Sequence, residues 1–143
     1  MPITSFFEEE YHYFMERINP EVGAWQYFPT VQEIAPDIDD LVQIMQFFIY
    51  IGKKDKIAKD CQKAIDTAIN SRSCAKGGIE TWILPKHNLT PLQQKQQYFN
   101  ESKWDTGPDV EVVANFLYAL HLFVCSDFII TFVTTKTKIL CRH

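Results

Sequence analysis

The chain has 143 residues, of which 46% are apolar and 14% aromatic, so it can bury the core of one domain, and disorder is excluded as its main state. The formal net charge of −4 argues against a nucleic-acid-binding protein, which needs a basic surface. The N-terminal residues show no basic run followed by a long apolar stretch, so no secretory signal is predicted. The four cysteines form no Cys-x-x-Cys pair, and we interpret them as reduced thiols of a cytoplasmic protein.

Apolar periodicity predicts three helices in the first half of the chain. Residues 5–18 repeat aromatic and aliphatic side chains at helical spacing. Asp37 is a good N-cap for a helix that runs to about Ile51 and is apolar around nearly its whole circumference, which predicts burial on all sides. Residues 55–72 carry one narrow stripe of alanine, cysteine and isoleucine, which is typical of an outer helix packed against a buried one.

The middle of the chain predicts an extended piece and a short helix. Residues 79–84 surround Trp82 and lack a helical stripe. Thr90 offers an N-cap, Pro91 suits the first helical position and Gln93 completes a capping box, so a helix is predicted from there to about Tyr98.

The last third predicts a second buried helix, followed by an atypical tail. Asp109 caps a helix from Val110 to about Val124. The most apolar stretch covers residues 116–133, but charged and polar residues interrupt it, and no transmembrane span is predicted. Residues 128–143 are rich in isoleucine, valine and threonine, a composition typical of strands, and receive no assignment.

The two buried helices begin with related sequences. Residues 36–40 (Pro-Asp-Ile-Asp-Asp) and residues 108–112 (Pro-Asp-Val-Glu-Val) align 72 positions apart, and a glycine-to-tryptophan segment precedes each of them, at 23–25 and 78–82. Repetition of this kind is typical of stacked helical hairpins with buried inner helices and amphipathic outer helices. The fold class predicted is therefore all-α.

The repeat also sets the predicted domain organisation. Residues 1–127 form one helical-repeat domain, with repeats at about 20–75 and 76–124. Residues 128–143 are the atypical tail.

Each predicted inner helix carries a polar stripe on one face. On the first helix the stripe has helical spacing i, i+4, i+7 and i+11, and the second helix has its own residues at the aligned positions. The first stripe consists of Asp39, Gln43, Gln46 and Tyr50, and the second of Glu111, Asn115, Tyr118 and Leu122. Such side chains either line a wet cavity or hydrogen-bond one another within an ordinary bundle core.

The repeated segments resemble those of a known family. Gly-Gly-Ile-Glu-Thr-Trp at 77–82 and Gly-Pro-Asp-Val-Glu-Val at 107–112 are similar to the repeats of squalene–hopene cyclases, class II terpene cyclases and related prenyltransferase-type proteins. The resemblance covers roughly residues 20–124 and implies an α/α toroid of inner and outer helices. The chain has fewer helices than a closed ring needs, so the expected fold is a partial toroid, an incomplete ring.

The same resemblance implies a catalytic site. Residues 37–40 (Asp-Ile-Asp-Asp) resemble the family's Asp-x-Asp-Asp motif, which implies that Asp39 is a proton donor with Asp37 and Asp40 as supporting carboxylates. Crowded carboxylates favour retention of one proton, and aromatic side chains can stabilise carbocations. Alternatively, the three acids only cap the first turn of a helix, where the helix dipole favours negative charge. The substrate-binding residues expected for a cyclase are Gln43, Gln46, Tyr50, Glu111, Asn115, Tyr118, Trp25 and Trp82, with Phe47 a further aromatic candidate.

The function expected from the resemblance is acid-initiated cyclisation of a polyisoprenoid, performed as part of a larger ring. The alternatives are a non-catalytic interaction module of the same fold and a truncated pseudo-enzyme. Expected partners are an isoprenoid small molecule and, because an incomplete ring leaves apolar surface uncovered, a second copy or a helical partner. Peripheral contact with a membrane is compatible with these partners, whereas no nucleic acid, cofactor or metal is expected, since the four histidines are scattered.

Overall fold

A computed structural model of the chain describes residues 3–71, 78–104 and 108–140, with side chains to Cys125 in the last range. In these ranges the protein is all-α, as predicted, and extended residues pair only through isolated bridges. The helices are α1 (Ile3–Arg17), α2 (Ile38–Tyr50), α3 (Lys54–Lys56), a π-helical turn (Ile57–Cys61), α4 (Gln62–Asn70), α5 (Pro91–Lys103) and α6 (Val110–Leu140).

Helix α2 is the centre of the core. Its N-cap is Asp37, as predicted, and the carboxylate oxygen Oδ1 accepts a hydrogen bond of 2.8 Å from the backbone N–H of Asp40. The buried side chains of α2 are Ile38, Leu41, Val42, Ile44, Met45 and Phe48. At 3.6 residues per turn these residues lie within less than half of the circumference. Gln43 and Tyr50 on the opposite side are exposed, so the expectation that α2 is buried on all sides was wrong.

The predicted outer helix is confirmed as one helical segment, residues 54–70, which we call the outer segment. It contains α3, the π turn and α4, and the π turn is a feature that the sequence did not reveal. At its end, the Ser71 hydroxyl donates a 2.6 Å hydrogen bond to the carbonyl oxygen of Leu84. Next to this contact, the Ile83 N–H donates to the Pro36 carbonyl oxygen at the start of α2. The outer segment therefore runs back along α2 in the opposite direction.

Cys61 lies on the buried stripe of the outer segment. Its free thiol is fully buried, and burial, reinforced by the charge of Asp60, raises the pKa of the thiol to about 12. Cys125 is also a free thiol, whereas Cys74 and Cys141 lie outside the described residues. Cys61 therefore has a structural role as a small apolar side chain.

The two predicted inner helices begin at the same place. Asp37, before α2, forms an isolated bridge with Trp82, and Pro108, before α6, forms another with Glu80. One extended segment, residues 78–84, thus pairs with the starts of both helices.

At their other ends, α2 and α6 are also close together. The Nζ atom of Lys54, just beyond α2, lies 5.0 Å from the centroid of the Phe123 ring on α6. The two helices are therefore side by side and run in the same direction. Asp39 and Glu111 consequently lie at the same end, as the repeat predicted.

Helix α6 differs from its prediction in burial and length. Val112, Phe116 and Ala119 are buried, whereas Leu117 on another face is 57% exposed. In the described part of the chain, α2 is the only helix that packs extensively on α6, so only one stripe of α6 is covered. The expectation that residues 110–124 form a buried helix was therefore wrong, since this part of α6 is buried on one stripe only.

The C-terminal part of α6 also departs from the expected boundary. The helix does not end near Val124 but continues to Leu140, through residues whose composition is typical of strands. The intrinsic preference of a residue for strand or helix is a weak determinant of secondary structure, and the surroundings of the segment override it. Within the described residues, no helix combines the length and apolarity that crossing a membrane requires.

Helices α1 and α5 complete the fold. Helix α1 packs on α2 through aromatic pairs, such as Tyr11 with Phe48 at a centroid distance of 5.4 Å. Helix α5 begins with the predicted capping box at Thr90. The side-chain amide of Gln96 on α5 donates a 2.8 Å hydrogen bond to the carbonyl oxygen of Gln32, which ties α5 to the loop before α2.

Two glycines with positive φ provide a test of the packing between the loop after α1 and the outer segment. Both Gly23 (φ 78°) and Gly52 (φ 75°) adopt a backbone conformation that strains other residues. A Cβ atom on Gly23 would overlap the backbone carbonyl oxygen of Asp60, whereas one on Gly52 would meet nothing. We expect Gly52→Ala to cost about 1–2 kcal/mol, the strain alone, and Gly23→Ala to cost clearly more, measured by urea unfolding. Equal costs would contradict the close approach of the Gly23 backbone to the outer segment.

Candidate functional site

The acidic cluster at the start of α2 consists of Asp37, Asp39 and Asp40, which are all half-buried. Burial raises the pKa of Asp37, and the charge of Asp39 adds to this effect. Hydrogen bonds from the N–H groups of Asp40 and Asp39 oppose the rise without cancelling it. The carboxylate that caps the helix is thus partly shielded from water.

Asp40 has the most informative electrostatics of the cluster. Burial first, and then the negative charges of Asp37 and Asp39, raise the pKa of Asp40 to about 7. A carboxyl group with this pKa is protonated in a large fraction of molecules near neutral pH and can donate a proton. Sequence reasoning placed the donor role on Asp39 and gave Asp40 a supporting role, whereas the pKa of Asp40 makes Asp40 the stronger candidate.

Asp40 borders a cleft between α1 and α2, which we call the aromatic cleft. Its volume is about 420 Å³. The lining residues are Phe6, Phe7, Glu10, Phe14, Asp40, Gln43, Ile44 and Phe47. Phe47 meets Phe7 and Phe14 edge-on, at centroid distances of 6.1 and 5.6 Å. The cleft therefore offers an apolar chain several aromatic rings close to one proton donor.

The sequence did not identify most of this cleft. Phe47 was an aromatic candidate, but Phe7 and Phe14 were interpreted only as the core stripe of α1. Their spacing of seven residues fits a buried stripe and a cleft wall equally well. The packing angle of α1 on α2, which leaves the groove open, has no signature in the sequence.

The predicted polar stripes lie on the surface. On α2, Gln43 is exposed and Tyr50 is 77% exposed, while Asp39 and Gln46 are half-buried. On α6, Glu111, Asn115 and Tyr118 are exposed, and Leu122 is half-buried. In the described residues, these side chains line no shared enclosed cavity and form no buried network, because no further element covers this face of either helix. The expectation of either arrangement was therefore wrong.

The two tryptophans assigned to substrate binding lie apart. Trp25 is buried in the core, where its Nε1–H donates a 2.8 Å hydrogen bond to the carbonyl oxygen of Phe14. Trp82 is half-buried beside α5, and its ring lies 5.4 Å from that of Trp104. The predicted substrate-binding residues are thus distributed over several surfaces, and among them only Gln43 and the further candidate Phe47 line the aromatic cleft.

The structure describes no metal centre for this cleft. Within residues 3–71, 78–104 and 108–125, no group of three or more histidine, cysteine, aspartate or glutamate side chains could hold a metal ion. Comparisons with protein-family models, curated proteins and solved structures found no match to the chain. The resemblance to cyclase repeats thus remains a prediction from the motif residues.

The raised pKa of Asp40 predicts a pH-dependent stability. Because the folded-state pKa of about 7 exceeds the ordinary value of 3.8, the native state binds this proton more tightly than the unfolded state. The free energy of unfolding therefore falls as the pH rises from about 4 to 7. Asp40→Asn removes this loss, so we expect the variant to gain thermal stability over the wild type at pH 8 and little at pH 4.

The measurement is the melting temperature by circular dichroism at both pH values. Asp55→Asn is the matched control, since Asp55 is exposed. A stability difference between Asp40→Asn and the wild type that is the same at pH 4 and pH 8 would contradict the shielding of Asp40.

Proposed function

We propose that the chain is a helical interaction module whose helix α6 accepts an amphipathic helix of a partner. One observation carries the proposal. Ile38 and Met45 on α2 are fully buried, whereas the aligned Val110 and Leu117 on α6 are 83% and 57% exposed. At the same repeat position, the side chains on α2 are therefore covered by neighbouring parts of the protein, whereas no described residue covers those on α6.

The exposed apolar positions form a docking stripe, which His121 interrupts between Leu117 and Val124. Val110, Ala114 and Leu117 follow one another at helical spacing, and Val124 extends the row with 70% exposure. Complete burial of a valine or leucine side chain is worth about 1.5–3 kcal/mol, so covering this stripe would supply a useful part of a binding free energy. A group of exposed apolar side chains on one helix face is typical of interaction sites.

The outer segment indicates what the partner helix should be like. Its buried stripe consists of small and branched side chains, namely Ile57, Cys61, Ala64, Ile65 and Ala68. Its exposed face carries Lys59 and Lys63, and α6 presents Glu111 close to its apolar stripe. A partner helix with a small apolar stripe and flanking lysines would match α6 in shape and in charge.

A peptide that copies the outer segment tests this proposal. We expect a labelled peptide of residues 53–71 to bind the full chain under reducing conditions, measured by fluorescence anisotropy. Leu117→Glu should weaken binding about tenfold or more, because it places a charge in the apolar stripe. Asn115→Glu is the matched control, since it adds the same charge to an exposed site on the same helix and should change little.

Two results would contradict the interaction module. One is the absence of peptide binding by a folded wild-type chain. The other is equal binding by the Leu117→Glu and Asn115→Glu variants, which would place the peptide elsewhere.

A second candidate function is acid-initiated cyclisation of a polyisoprenoid, favoured by the position of Asp40 beside the aromatic cleft. The Asp40 carboxyl would transfer its proton to a terminal alkene carbon, and the alkene π pair would form the new C–H bond. The carbocation left behind is attacked by the next double bond, and aromatic rings can stabilise the positive charge. A final proton loss, for which Glu10 in the same cleft is the candidate base, restores an alkene, so the net reaction is an isomerisation.

The cyclase candidate predicts that Asp40 is essential and that activity falls above its pKa. We expect wild-type protein incubated with detergent-dispersed squalene to form cyclic isomers, detected by gas chromatography and mass spectrometry, with a rate that declines above about pH 7. Asp40→Asn should abolish them, and Asp55→Asn should not. If the wild-type chain forms no cyclic product, or if Asp40→Asn forms as much as wild type, this candidate is wrong.

A further inference from the structure

A second cavity lies where the extended segment meets α5 and the end of the outer segment. Its volume is about 290 Å³, at the lower end of the range for small-molecule sites. The lining residues are Ser71, Glu80, Trp82, Leu84, Pro85, Lys86, Gln97, Asn100 and Glu101. We call it the Asn100 pocket, and neither the interaction module nor the cyclase chemistry uses it.

Asn100 is the unusual member of this lining. It is 1% exposed, and within the described part of the chain neither its Nδ2 nor its Oδ1 has a hydrogen-bond partner. Buried polar groups are nearly always paired, because leaving a buried donor or acceptor unpaired is costly. An amide with both groups unpaired in the lining of a cavity therefore indicates a ligand-binding site.

The unpaired groups define what would satisfy them. A side-chain amide presents an N–H donor and a carbonyl acceptor next to each other in one plane. We propose that the Asn100 pocket binds a small, neutral, planar carboxamide or lactam, which would pair with Asn100 through two antiparallel hydrogen bonds. This binding site is independent of the proposed function.

Other ligand classes fit the pocket less well. A carboxylate would accept from Nδ2 but would leave Oδ1 facing a negative group, and Glu80 and Glu101 would repel it. An ammonium ion would satisfy Oδ1 and leave Nδ2 unpaired. Only a group that both donates and accepts pairs with the whole amide.

The aromatic wall favours a flat ligand that carries this amide. Trp82 lines the pocket, and its ring is held by the ring of Trp104, whose own neighbour is Phe99 at a centroid distance of 5.7 Å. The backbone of Trp82 is fixed by its bridge to Asp37. An aromatic amide can therefore lie against a wall that is already in place.

Access to Asn100 requires movement of a lining side chain, because its polar atoms are closed to water. Gln97 and Lys86 are exposed members of this lining, and the side-chain amide of Gln97 donates a 2.9 Å hydrogen bond to Glu101. Binding therefore requires a local rearrangement of the lining.

Three matched probes test the proposal on the wild-type chain. Benzamide has a donor and an acceptor, acetophenone replaces the donor with a methyl group, and benzoate replaces it with a charged acceptor. We expect benzamide to shift the indole N–H resonance of Trp82 in NMR titrations and to bind about tenfold or more tightly than the other two. Equal affinities for the three probes, or no binding of benzamide, would overturn the proposal.

The variant Asn100→Leu adds a second, independent measurement. Leucine has the branched side-chain skeleton of asparagine and no polar atom to pair, so we expect Asn100→Leu to bind benzamide and acetophenone with equal affinities. Gln94→Leu is the control, since Gln94 is an exposed amide on the same helix outside the lining, and it should keep the preference for benzamide. Retention of the preference for benzamide by Asn100→Leu would overturn the proposal.

Discussion

The pairing of one short extended segment with the starts of two helices is the constraint on which the fold depends. The Ile38 N–H donates to the carbonyl oxygen of Thr81, and the Ile83 N–H donates to that of Pro36, at 2.9 and 2.8 Å. Glu80 forms the bridge to Pro108 at the beginning of α6. These bonds satisfy backbone groups at the helix starts and set α2 and α6 beside each other in the same direction.

Both candidate surfaces follow from this arrangement. Because α2 is covered by α1, by the outer segment and by α6, its acidic N-terminus is only partly hydrated, and the pKa of Asp40 rises. Because α6 is covered by α2 alone among the described residues, its other apolar positions remain at the surface. One helix in the pair thus has the shielded carboxyl group, and the other has the open face.

The sequence predicted the elements better than their burial. The caps at Asp37 and Thr90 were found because the bonds they make are local, as was the outer stripe around Ala64. The exposure of Leu117 could not be predicted, because an apolar residue has the same signature whether its cover is in this chain or elsewhere. The repeat made α6 look like a copy of α2, but a repeat in sequence does not supply the neighbour that buries it.

The candidate sites were predicted less well, for a similar reason. The acidic motif at residues 37–40 was visible, but the choice between Asp39 and Asp40 depends on which carboxyl is turned from water, and this is set by the packing of α1. Asn100 lies in a glutamine-rich helix and had no signal at all, since its isolation results from contacts between distant segments. Polar residues in a pattern can be found from sequence, whereas unpaired ones require coordinates.

The buried thiol of Cys61 provides a way to measure how often the outer segment separates from α2. A thiol with a pKa of about 12 is almost entirely protonated at neutral pH, and alkylating reagents attack the thiolate. Modification of Cys61 therefore has to await exposure of the segment, so its rate reports how often α4 and the π turn leave α2. A partner helix bound to α6 would slow the modification of Cys61 only if the outer segment and α6 separate from α2 together. The modification rate therefore distinguishes one cooperative unfolding unit from two.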